Sequence, residues 1–204
     1  MIKKVGLIID DHNQTRQVLD FVEKSKDSDI YQISHLIVQK IPTNNKIIDY
    51  LKKWEISKLF ASFSFKFISK VEEFYLKRRQ KYRGLKIYFD KFEIPELNLP
   101  TIEVIPEISK SGFVYKYNDH DLRKIKDEKF DLLVRCGSGI LRGDILNLCE
   151  YGIASFHHAD NRVNRGSPPG FWEVLKRQNS TGFVIQILND ELDGGDIIFR
   201  GNIE

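Results

Sequence analysis

The sequence predicts one α/β domain, a mostly parallel twisted sheet flanked by helices. Three observations carry that expectation. The first 41 residues read strand, helix, strand, the length of a βαβ unit. Short apolar runs bounded by charge, the pattern of strands buried on both faces, occur at Val5–Ile9 and again at 131–135. With 204 residues, 41% hydrophobic and 30% charged, the chain can fill one sizeable core. Its composition is that of an ordinary globular protein, which excludes disordered, collagen-like and disulfide-scaffold classes.

In chain order, Val5-Gly6-Leu7-Ile8-Ile9 is the first strand. Val18, Leu19 and Val22 recur at helical spacing across 13–24, with Asn13 the expected N-cap. Residues 33–41 form the second strand, closed by Pro42. Across 45–90, Ile47, Ile48, Leu51, Trp54, Leu59, Phe60, Phe63 and Phe67 predict two helices or one interrupted helix. The basic run Lys77-Arg78-Arg79-Gln80-Lys81-Tyr82-Arg83 follows, between Tyr75 and Phe89. It reads as a solvated helix end whose cations suit the macrodipole, in preference to a phosphate-binding patch. Strands are expected at 102–105 and 113–115, and a short helix at 119–125 capped by Asn118 or Asp119. After the strand at 131–135 comes a glycine turn, then helical character over 140–148. Further strands are expected at 153–157, 183–188 and 197–199, with no internal repeat.

Lys+Arg 32 against Asp+Glu 29 leaves a net charge of +3, too small to imply a nucleic-acid partner. Cys136 and Cys149 lack metal-ligand spacing and do not resemble a secreted disulfide framework, which points to the cytoplasm. No apolar stretch approaches the ~20 residues of a membrane helix, and the basic start reaches Asp10-Asp11 too soon for a signal peptide.

Ten of the 13 glycines lie after residue 136. Glycine allows a ligand close to backbone, and open α/β sheets bind ligands beyond the carboxyl ends of their strands, so the chemistry is expected between 135 and 200. Three constellations stand there. Gly137-Ser138-Gly139 between a strand and a predicted helix offers a phosphate cradle, though it is neither a P-loop nor GxGxxG, and a tight βα turn explains it equally well. Ser155-Phe156-His157-His158 ends a strand, with Ser155 and His157 on one side and Phe156 on the other. Those two polar groups suit proton transfer or charge stabilisation; the plainer alternative is a hydrogen-bonded structural histidine. A metal on His157, His158 and Asp160 is the lesser reading, because neighbours on a strand point apart. The loop Asn189-Asp190-Glu191-Leu192-Asp193-Gly194-Gly195-Asp196 lacks calcium-loop spacing, but its Gly-Gly turn would hold the Asp193 carboxylate in place.

Together these residues resemble the folate-dependent formyltransferase family. Gly139-Ile140-Leu141, Gly152-Ile153, His157, Arg165-Gly166, Thr181-Gly182 and Leu192-Asp193-Gly194-Gly195 follow the order and intervals of that family's pattern, over about a third of the chain. The resemblance implies a Rossmann-like fold and transfer of a formyl group from N10-formyltetrahydrofolate to an amine, without a metal. It implies an Asn, His, Asp catalytic group, carried here by Ser155, His157 and Asp193; Ser155 stands where the family usually has Asn, and His158-Ala159-Asp160-Asn161-Arg162 replaces the usual Pro-Ser-Leu-Leu-Pro. The pteridine is expected along Gly137, Ser138, Gly139, Ile140 and Leu141 and against the loop of Asp190 and Asp193, and the acceptor near His158, Asn161, Arg165 and Gly166. His157 and Asp193 are expected within about 6 Å, close enough for charge coupling. The expected acceptor is a small-molecule amine, foremost an amino-sugar nucleotide. The alternatives are a non-catalytic folate- or nucleotide-sugar-binding module and a formyltetrahydrofolate hydrolase; self-association is left open. A tRNA acceptor is set lower because the chain stops at Glu204, where family members usually continue, so a longer native chain is also an open alternative.

Overall fold

A computed structural model of the chain describes residues 1–41, 56–79, 90–93, 99–163, 170–192 and 194–203. Its centre is β1 (Lys3–Ile9), the apolar run read from the sequence, with Leu7, Ile8 and Ile9 fully buried. The stretch Val5–Ile9, covered on both faces, carries no polar side chain, and the two lysines stand where the strand enters the sheet. On one side β1 pairs in parallel with β3 (Tyr31–Gln39), which pairs in parallel with β5 (Thr101–Val104). On the other it pairs in parallel with β8 (Leu132–Arg135), and β8 with β10 (Ile153–His157). Beyond β10 the direction reverses: β11 (Thr181–Ile187) and β12 (Asp196–Ile203) close that edge antiparallel, giving the order β12-β11-β10-β8-β1-β3-β5. The mostly parallel sheet expected from the sequence is therefore present.

Helices cover both faces. α1 (Arg16–Lys26) lays Leu19 and Val22 against Val5, Leu7, Ile9, Ile33 and Val38. On the opposite face α3 (Asp119–Asp127) and a 3₁₀ turn at Asp144–Asn147 bring Leu122, Ile125 and Ile145 against Ile8, Ile37, Leu133 and Ile153. α2 (Ile56–Arg78) is one continuous helix, and no described helix is long and apolar enough to cross a membrane. Outside the main sheet, β2 (Asn13–Thr15) pairs with β4 (Lys91–Glu93), and β6 (Glu107–Ile108), β7 (Val114–Lys116) and β9 (Ile140–Arg142) form a three-stranded sheet. A short helix, α4 (Phe171–Leu175), precedes β11.

Two local expectations are corrected. Asn13 is not the cap of α1: it lies in β2, and Thr15 stands at the helix start without a side-chain cap bond. Pairing with β4 holds this segment extended, and periodicity in a single strand of sequence cannot register a distant partner. The helical character expected over 140–148 is instead strand β9 followed by the 3₁₀ turn. β9 pairs in parallel with β7, and the Ile140 N–H donates to the Phe113 carbonyl at 2.7 Å, so the glycine turn before it opens no helix. By contrast, Asn118 caps α3 as expected, its Oδ1 accepting from the Asp121 N–H at 2.9 Å. The helical residues expected at 47–54 and the basic residues 80–83 lie outside the described residues.

Candidate functional site

β8 and β10 run side by side, β10 continuing two residues past the end of β8, and the cleft at their carboxyl ends is lined by Arg135, Gly139 to Arg142, Ser155 to His157, Gln186, Leu188, Asn189, Glu191 and Leu192. Pairing across the three strands places Arg135 beside Ser155 and Ser155 beside Gln186. A polar row thus crosses three neighbouring strands of the sheet. Ser155 and Gln186 are only 3% and 4% exposed, so their polarity is costly unless partners or a ligand satisfy it. Arg135 donates from Nη1 to Ser155 Oγ at 3.3 Å and from Nη2 to the Gly139 carbonyl oxygen. Burial pushes the guanidinium below its ordinary value, against the opposing field of Asp10. His157 follows two residues after Ser155, on the same face and at the cleft. Phe156 turns to the other face, where it stacks on Phe183 with ring centroids 5.4 Å apart.

The glycine turn after β8 is fixed by Asp10 at the end of β1. Asp10 accepts from the Ser138 N–H at 2.9 and 3.0 Å and from Gln39 Nε2 at 2.9 Å, and Gln39 also donates to the Ser138 carbonyl. A Cβ on Gly137 would lie 2.6 Å from Asp10 Oδ1, so the close approach needs glycine there. Gly139 has φ +81°, and a Cβ on it would meet the Tyr115 ring at 2.4 Å. The turn therefore divides in two. Gly137 and Ser138 face Asp10 and Gln39, whereas Gly139, Ile140 and Leu141 line the cleft. Among the described residues β9 pairs with β7 on one edge and with no strand on the other. An edge of this kind offers backbone donors and acceptors to a ligand.

The far wall is the loop after β11. Arg142 donates from Nη1 to the Asn189 carbonyl at 2.9 Å; Asn189 in turn accepts from the Glu191 N–H and donates to the Gly194 carbonyl. Glu191 and Leu192, which immediately precede Asp193, line the same cleft as His157. Asp193 itself lies outside the described residues, as do Arg165 and Gly166. Asp190 is exposed and outside the cleft lining. His158 sets its ring edge against Phe156, at 4.9 Å; desolvation and the neighbouring His157 charge lower its pKa. Asn161 Oδ1 accepts from Arg200 at 3.1 Å. Asp160 is gripped by Arg162 and Arg200, so both of its oxygens are engaged by guanidinium groups.

Arg135, Gln186 and Arg142 are site residues that motif reading missed. A signal existed for two of them: a charged residue inside the buried run at 131–135, and a glutamine inside the apolar run at 183–188.

Over 126 residues, 61% of its length, the chain is 27% identical to the methionyl-tRNA formyltransferase of Caldanaerobacter subterraneus subsp. tengcongensis. In sequence the chain is similar to members of the folate-dependent formyltransferase family. The methionyl-tRNA formyltransferase of Bacillus subtilis is 28% identical over 85 residues, covering 41% of the chain and 27% of that protein. The chain spans only 39% and 29% of the first two such relatives, the second from Clostridium beijerinckii. No protein-family model matches it. Among solved structures, glycinamide ribonucleotide transformylase 1 from Geobacillus kaustophilus superposes with a TM-score of 0.58 at 14% identity, covering 100% of this chain and 83% of that one. A formyltetrahydrofolate deformylase from Pseudomonas syringae gives 0.56 at 13% identity, covering 100% and 51%. At such identities the likeness is one of fold, and it agrees with the family's mostly parallel sheet.

Proposed function

We propose that the protein transfers a formyl group from N10-formyltetrahydrofolate to an amine, with Ser155, His157 and Asp193 as the reacting side chains. The observation that carries this reading is the placement of Ser155 and His157 on one face at the carboxyl end of β10, across a cleft from the residues that lead into Asp193. When bound, the donor supplies an activated formyl carbon; the amine nitrogen bonds to it as the bond to N10 breaks, and a proton passes from the amine to N10. Ser155 and protonated His157 donate hydrogen bonds to the formyl oxygen, where negative charge grows as the amine attacks. Asp193 holds the imidazole charged and takes the amine's proton, directly or through a water. The open edge of β9, from Gly139 to Leu141, holds the pteridine through backbone groups.

The acceptor we propose is a small molecule, an amino-sugar nucleotide foremost, met near His158, Asn161, Arg165 and Gly166. An amine carried on tRNA is the second reading, favoured by the names of the sequence relatives. The test incubates the protein and N10-formyltetrahydrofolate with amino-sugar nucleotides, glycinamide ribonucleotide and methionyl-tRNA in turn, following tetrahydrofolate release and formylated product. His157→Ala and Asp193→Ala are expected to abolish turnover while donor binding persists, because their contribution is made in the transition state. Ser155→Ala is expected to lose about 10-fold to 10²-fold in kcat, one neutral donor being removed. Formyl release without any amine identifies a hydrolase, and donor binding without release a binding module.

A further inference from the structure

Arg135 has no part in the chemistry above, yet it lies at the floor of the same cleft. Two of its three guanidinium nitrogens are engaged, Nη1 with Ser155 Oγ and Nη2 with the Gly139 carbonyl. The third, Nε–H, is buried and meets no acceptor among the described residues. Nor does any carboxylate among the described residues form an ion pair with it. Asp10, whose field reaches it, already accepts from Ser138 and Gln39. The remaining groups that act on it are Tyr115, Tyr117 and Cys136, none of them a carboxylate. Two strands away, Gln186 Oε1 is likewise buried without a donor among the described residues. A guanidinium stays charged at neutral pH, and a buried charge without a counter-charge is costly. A ligand that brings negative charge to the cleft stabilises such a group, and negative charge grows there during formyl transfer.

Resting on that reading of the function, we infer that Arg135 is a further catalytic residue: its guanidinium, with Ser155 held against it, faces the formyl oxygen and stabilises the charge that develops there. The geometry also gives Ser155 its direction. Because Arg135 fills one acceptor lone pair of the hydroxyl, the serine proton turns away from the guanidinium and toward the cleft, and the adjacent cation strengthens it as a donor. Two side chains from neighbouring strands thereby share the work of a single amide. Arg135 keeps all its protons throughout; the amine's proton goes to N10 by the route already given.

The test compares wild type, Arg135→Met and Arg135→Lys in two measurements. One is the single-turnover rate of formyl transfer to the best amine of the panel. The other is the Kd of 5-formyltetrahydrofolate, a folate that does not transfer its formyl group, read by fluorescence. Arg135→Met is expected to slow transfer by about 10²-fold or more with a Kd within about threefold of wild type. Arg135→Lys is expected to recover roughly tenfold, since it restores the charge but not the planar fork. Should Arg135→Met not fold, Arg135→Gln, which keeps an amide donor for Gly139, is read by the same two numbers. Transfer within about threefold of wild type in the folded neutral variant overturns the inference, as does a slower rate matched by an equally weakened Kd. A wild type that neither binds the folate nor formylates any amine overturns the formyl-transfer reading itself, whereas wild-type transfer with indifferent Arg135 variants overturns the role of Arg135 alone.

Discussion

Asp160 sits 6% exposed directly after the candidate catalytic strand and carries two guanidinium groups. Arg162 binds it through Nε at 3.0 Å and Nη2 at 2.6 Å, and Arg200 reaches it from β12. The Arg162 hydrogen bonds, with the charges of Arg162 and Arg200, hold the carboxyl well below the usual carboxylate range despite burial. A depressed folded value means stability that is in full force above the unfolded value of about 4 and is lost as the pH falls from there through the folded value. Asp160→Asn is therefore expected to lower stability by about 2 kcal/mol at pH 7, the loss of charged hydrogen bonds. In urea unfolding, the gap between wild type and variant should narrow below pH 4. An unchanged gap at pH 3 would mean that the loss comes from packing. The consequence for function is positional: this ion cluster ties the segment after His157 to β12.

At the scale of the element, α3 shows how local chemistry and packing agree. Asn118 caps it, Asp119 and Asp121 occupy its first turn and Lys124 and Lys126 its last, each sign complementing the macrodipole, while Leu122 and Ile125 are buried against the sheet. Asn118→Ala is expected to cost about 1 kcal/mol, measured by thermal unfolding, and to leave kcat unchanged, because α3 covers the sheet away from the cleft. Loss of activity on its own in that variant would show that α3 helps to position the site. The segment at 140–148 is the opposite case. Leu141, Ile145 and Leu146 are spaced as a helix would space them and all are buried, yet the first lies in a strand. The parallel pairing with β7 prevails, because it satisfies the backbone through partners 26 residues away in sequence.

For the whole molecule, charge separates the two acceptor readings. The chain carries +3 overall, and the described part of its basic run is partly self-engaged: Lys77 pairs with Glu73 at 2.7 Å, Arg78 covers the Phe74 ring at 4.2 Å and Arg79 the Tyr75 ring at 4.5 Å. For a small acceptor, kcat/KM is expected to change by less than about threefold between 50 and 500 mM salt, since few ionic contacts are made over distances that screening reaches. A fall of tenfold or more would mark release of counterions from a polyanion and favour tRNA.

Strand runs, the βαβ opening, the cap of α3 and the linear order of Ser155, His157 and the glycine-bracketed loop could all be read along the chain, because each depends on neighbours within a few residues: alternation, helical spacing, a cap and its helix. The family resemblance was legible for the same reason, as a series of short motifs in order. The antiparallel direction of β11 against β10, the pairing of Asn13–Thr15 with β4, and the strand at 140–142 were not, since each is set by a backbone partner far away in sequence. The row Arg135, Ser155, Gln186 belongs to this second class. Each residue alone is a polar interruption of an apolar run; only the register of three strands, joined by connections of 17 and 23 residues, brings them side by side at the floor of one cleft.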